Sequence, residues 1–176
     1  MYDLTSRQDH VSPSASASGK PRNDSQAETL KEELSNILEE CRILLPGMQA
    51  LFGFQTIAVF NERFEHLRGL SPVAHLLSLF MVAVAIALGM APAAFHRIAE
   101  PGRVSRRLVA LSSRCICAAL FMLMLAFALE MFVVFRLATD KQPFSVAVAA
   151  LLLFIIGAAW FVLPYLVRRR WRRPSP

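Results

Sequence analysis

RILLPGMQALFGFQTIAVFNERF, residues 42–64, is the stretch whose reading decides how many times this chain crosses a membrane. Residues 43–60 form a mostly apolar run of 18, at the lower end of what a spanning helix needs. Pro46-Gly47 interrupts that run, and Gln49 and Gln55 lie within it. Local composition therefore leaves the stretch marginal, and its neighbours have to decide.

Downstream the reading is easier. Residues 73–94 (behind Pro72), 115–135 (after a semi-polar turn) and 144–167 (closed by Arg168-Arg169-Arg170) are apolar runs of 22, 21 and 24 residues, each long enough to span. Upstream, residues 1–24 are rich in Ser, Ala, Pro and charge, with almost nothing apolar to bury, and read as a disordered tail. Ser25 and Glu28 have the spacing of a capping box, which predicts a helix start at Ser25. That helix, residues 25–45, places Leu30, Leu34, Ile37, Cys41 and Leu44 at alternating steps of four and three, with glutamates elsewhere. It is expected to lie on the aqueous side of the membrane and to end at Pro46-Gly47.

The basic residues settle the first run. Leaving aside Arg114 at the edge of the third apolar run, if it spans, fourteen Lys and Arg share one side: five in the N-terminal part, Arg97, Arg103, Arg106 and Arg107 in the middle loop, and five at the C-terminus. Arg63, Arg68, Arg136 and Lys141 face the other side. If it does not span, the two sides hold nine each, and the asymmetry that orients inner-membrane proteins disappears. The expected fold is therefore all-α, a four-transmembrane-helix bundle preceded by a disordered tail and an amphipathic cytoplasmic helix. Both termini are expected in the cytoplasm, with residues 168–176 as a basic tail.

Composition agrees. With 55% hydrophobic and 18% charged residues over 176 positions, the chain is too apolar for an ordinary soluble domain, whose charged fraction is about 25%. The formal charge of +6 flanks apolar runs rather than interleaving with exposed aromatics, so no nucleic-acid partner is expected. The expected partner is the lipid bilayer, with self-association into a homo-oligomer left open. Three cysteines, Cys41, Cys115 and Cys117, imply no disulfide framework, and Cys-x-Cys on a helix points its thiols to roughly opposite sides. No cleaved signal peptide is expected from the opening MYDLTSRQDH.

The polar residues inside the apolar runs are the candidates for function. Gln49, Gly53 and Thr56 share one face of the first run and Gln55 takes another; His75, Ser78, Ala85 and Gly89 line one side of the second; Ser112, Cys115, Ala119, Ala126 and Glu130 line one side of the third. Small residues let helices approach closely in lipid, so these stripes are expected contacts. Glu130, His75 and Gln55 should lie at a similar depth, nearer the outer end. They are read either as a hydrogen-bonded lock between helices, the favoured reading, or as a protonatable pair on an ion path. His96, Arg97, Arg114, Arg168, Arg169 and Arg170 are expected headgroup anchors. No catalytic, cofactor-binding or metal-binding pattern is present, and no enzymatic activity is expected.

The segments RILLPGMQALFGFQ, F-x-x-L at residues 64–67 and MAPAAFHRI resemble a family of small bacterial membrane proteins classed as a domain of unknown function. The resemblance covers residues 33–170, with Leu-Pro-Gly-x-Gln and Ala-Pro-Ala-x-x-His-Arg as its specific parts. It implies a four-helix membrane protein with a polar N-terminal helix, and it implies no catalytic residue.

Overall fold

The computed structural model describes residues 21–62, 69–99 and 104–171. The tail at residues 1–20, the F-x-x-L segment and the end of the basic tail at residues 172–176 lie outside the described residues. Among those described, every regular element is helical: α1 (Pro21–Val59), α2 (Ser71–Ala99), α3 (Arg106–Thr139), α4 (Gln142–Gly157), a π-helical turn (Ala158–Val162) and α5 (Leu163–Trp171).

Two expected boundaries are corrected here. α1 starts at Pro21 rather than Ser25, and Thr29 donates its hydroxyl to the Ser25 carbonyl inside the helix. A proline at the first helical position costs nothing, because its missing N–H would have had no partner there. More consequentially, α1 runs through Pro46-Gly47 without a break, so the amphipathic helix and the first apolar run are one helix of 39 residues, about 58 Å long at 1.5 Å per residue. Its buried residues explain why: Leu34, Cys41, Met48 and Gln55 recur every seven positions across the proline. One continuous stripe packs against the same neighbours on both sides of Pro46, and that burial outweighs the lost backbone bond.

α3 also begins earlier than its apolar run. Ser105 caps it by accepting from the Leu108 N–H at 3.1 Å, so the semi-polar turn before Cys115 is helix. At the other end Asp140 takes a left-handed conformation (φ 51°) as C-cap, and Pro143 opens α4. The π turn precedes Pro164, which cannot donate to the carbonyl four residues back. There the Leu163 N–H reaches Ala158 O, five residues away.

The pairings give an up-down-up-down arrangement. α1 and α3 run parallel, Leu34 packing near Leu108 and Met48 near Ala119 and Leu123, with α2 antiparallel to both. The α2–α3 hairpin is the centre. α1 packs on both of its helices, and α4 packs chiefly on α3. Two apolar clusters hold α1: Leu34, Leu108 and Val109 near its start, and Met48, Val82, Ala85, Ala119, Leu123 and Ala126 further along. One end of the bundle gathers the first half of α1, the end of α2, the start of α3 and α5, and with them Lys31, Arg42, Arg97, Arg106, Arg107 and Arg168.

Three helical stretches are long and apolar enough to cross a membrane: Ser71–Ala99, Arg106–Thr139 and Gln142–Arg169. α1 is not among them.

Candidate functional site

Sequence spacing brings four polar side chains to one level. In α2, His75 and Ser78 are three residues apart and so share the face that also buries Val82, Ala85 and Gly89. In α3, Ala126 and Glu130 are four apart. In α1, Gln55 is the last member of the seven-residue stripe. The antiparallel pairing sets these positions beside one another, and the side chains bond across all three helices.

Gln55 Nε2 donates to Ser78 Oγ at 2.8 Å and to Glu130 Oε2 at 3.2 Å. Ser78 Oγ donates onward to the Ala126 carbonyl at 2.9 Å. His75 Nε2 lies 3.0 Å from the main-chain carbonyl of Gln55, and its Nδ1 lies 3.1 Å from Glu130 Oε2. A carbonyl oxygen only accepts, so Nε2 carries hydrogen. The His75 side chain is 2% exposed and that of Glu130 16%, so the pair is closed at the histidine and reaches the surface at the carboxyl.

The energetics depend on what is lost. An interhelical hydrogen bond in a membrane contributes about 0.6 kcal/mol on average, because the separated helices find other partners. Removing one member of a buried hydrogen-bonded pair costs about 3–5 kcal/mol, because the other group keeps its desolvation. The bond to Ser78 belongs to the first kind, and His75 with Glu130 to the second.

The other candidates are dispersed. Gln49 is exposed, away from this network, which corrects its expected role as a contact within the bundle. It lies one residue past Met48 and so turns about 100° off the buried stripe. Arg97, Arg114, Arg168 and Arg169 are exposed at the arginine-rich end, where Arg169 stacks over the Tyr165 ring at 5.0 Å. The Arg170 side chain lies outside the described residues. His96 is half-buried, with its Nδ1 buried and unbonded. Cys41 is buried, and burial, with the Glu40 carboxylate beside it, pushes its thiol above the usual value of 9.0. Ser78 is the residue that sequence reading placed on a contact stripe without giving it a part in the network. Its signal was the spacing of three from His75.

The comparisons with known proteins come to one positive finding: residues 23–164 match the model of a family described only as a family of unknown function (DUF6328). The chain belongs to that family. The match takes in α1, α2, α3 and α4, and so every member of the polar network. No curated protein and no solved structure matches the chain.

Proposed function

We propose that this chain is a structural or accessory protein of a bacterial cytoplasmic membrane, without enzymatic activity, that crosses four times with both termini in the cytoplasm. The observation that carries the reading is the network itself. Gln55, His75, Ser78 and Glu130 bond to one another across α1, α2 and α3, which is what a lock between helices requires. Three stretches have the length and apolarity to span. The fourth crossing, by the second half of α1, is supported by its packing against α2 and α3 over their apolar lengths and by the arginines collected at one end. A polar residue is tolerated in such a helix when it is turned toward protein, as Gln55 is.

The competing reading is a small oligomeric transporter or channel using His75 and Glu130. It draws on the partial exposure of Glu130. Glu130→Gln in proteoliposomes separates the two. The lock reading expects weakened assembly and no change in proton or solute flux, and a flux in the wild type that Glu130→Gln abolishes would replace it.

A further inference from the structure

Cys41 of α1 and Cys115 of α3 are brought to one level by a register that the two helices keep along their contact. Leu34 packs in one cluster with Leu108. Seven residues further along each helix stand Cys41 and Cys115, and seven beyond those Met48 and Met122, which again share a cluster. Seven more along α1 is Gln55, whose amide bonds to Glu130 of α3. Parallel helices rise by the same 1.5 Å or so per residue, so a register that holds at Leu34 and at Gln55 holds at Cys41 between them. Electrostatics agree. Burial pushes the Cys41 thiol up, and the Glu40 carboxylate and Cys115 add to the effect, which puts the two sulfurs within reach of each other's charge.

The three thiols differ in access. Cys41 is buried, Cys115 half-buried and Cys117 exposed, and Cys117 stands about 200° round α3 from Cys115. From this placement we infer that Cys41 and Cys115 form a peroxide-sensitive modification site, whose oxidation to a disulfide joins α1 covalently to α3 between the two apolar clusters. The inference goes beyond the lock reading and does not depend on it, since the pair lies at another level of the bundle. Cys115, the more accessible of the two, reacts first. It loses its proton to water, and the thiolate attacks hydrogen peroxide, a small uncharged oxidant; the O–O bond breaks, a sulfenic acid forms, and the hydroxide that leaves is protonated to water. The Cys41 sulfur then attacks the sulfenic sulfur. An S–S bond forms, the S–O bond breaks, and the oxygen leaves as water with the proton of the Cys41 thiol. Two thiols have lost two hydrogens and two electrons, and peroxide has been reduced to water. Low-molecular-weight thiols reverse the link by exchange. The proposed topology puts the pair toward the cytoplasmic face, where disulfides are transient and redox-sensing rather than structural.

The test uses the full chain in lipid nanodiscs, reduced and then treated with hydrogen peroxide. Remaining thiols are alkylated after denaturation, and the protein is read by peptide mass spectrometry. The expected product has the Cys41 peptide joined to the Cys115 peptide with the loss of two hydrogens, leaves Cys117 outside the link, and returns to free thiols with dithiothreitol. A disulfide needs Cα atoms within about 7 Å, so its formation in the folded chain also tests the register. Cys117→Ala is expected to form the link as the wild type does. Cys41→Ala is expected to stop at the sulfenic acid of Cys115, trapped as its dimedone adduct; if that variant folds poorly, the peptide maps of the wild type and Cys117→Ala decide. A link through Cys117, links only between chains, or oxidation that leaves Cys41 fully open to alkylation overturns the proposal.

Discussion

α1 and α4 flank the same α2–α3 hairpin and are held in opposite ways. The stretch Gln142–Arg169, which contains α4, is the most apolar of the three spanning candidates, and its apolar window has no buried residue. α1 is the helix that apolarity leaves out, yet it contributes Leu34, Cys41, Met48 and Gln55 to the interior, and three of the five bonds of the network end on Gln55. In a bilayer this inversion is expected. Lipid is as good a solvent for Leu as another helix is, so apolar surface gives no reason to pack, whereas a polar side chain gives a strong one. Along this chain apolarity alone does not report contact with protein, whereas Gln55, His75 and Ser78, polar and buried, do make it.

That contrast can be broken at several places. The largest effect is expected at His75→Ala, which strands Glu130 and the Gln55 carbonyl together and should cost about 3 kcal/mol in a reversible unfolding assay in detergent or bicelles. Next is Gly89, on the face of α2 that meets Leu45 and Met48 of α1. An added Cβ would sit 3.3 Å from Met48 Cε and 3.4 Å from Leu45 Cδ2. Both are ends of flexible side chains, so Gly89→Ala is expected to be tolerated, whereas Gly89→Leu should cost about 1–3 kcal/mol by overpacking. Ser78→Ala removes two hydrogen bonds and strands no charge, for about 1 kcal/mol. On α4, Phe154 is 74% exposed, and Phe154→Ala should change stability by no more than about 0.5 kcal/mol. A large loss at Phe154 would mean that a second chain covers α4, and would end the contrast between the two helices.

Much of the packing could be read in the sequence because the stripes have one period. His75, Ser78, Ala85 and Gly89 in α2, and Ser112, Ala119 and Ala126 in α3, are buried on the faces that spacing assigned to them. Pro46-Gly47 misled for a local reason. Proline removes a backbone donor, but the rule that it ends a helix omits the packing on either side, and here Cys41 and Met48 continue one stripe across it. Spacing put the two glutamines of the first run on different faces but did not say which face is buried, since both are single amides in apolar surroundings. Position relative to that stripe, visible only once the helix is known to be continuous, puts Gln55 inside and Gln49 outside. The pairing of His75 with Glu130 and with the Gln55 carbonyl needed distances, because no spacing says which atom of a carboxyl meets which nitrogen.

The most direct test asks whether α1 crosses the membrane. Single cysteines at Glu28, Asn61, Lys141 and Arg169, in a chain otherwise free of cysteine, would be challenged with a membrane-impermeant thiol reagent in sealed vesicles of known orientation. Four crossings predict that Glu28→Cys and Arg169→Cys react from one side and Asn61→Cys and Lys141→Cys from the other. Glu28→Cys and Asn61→Cys reacting from the same side would show that α1 does not cross, and would contradict the account.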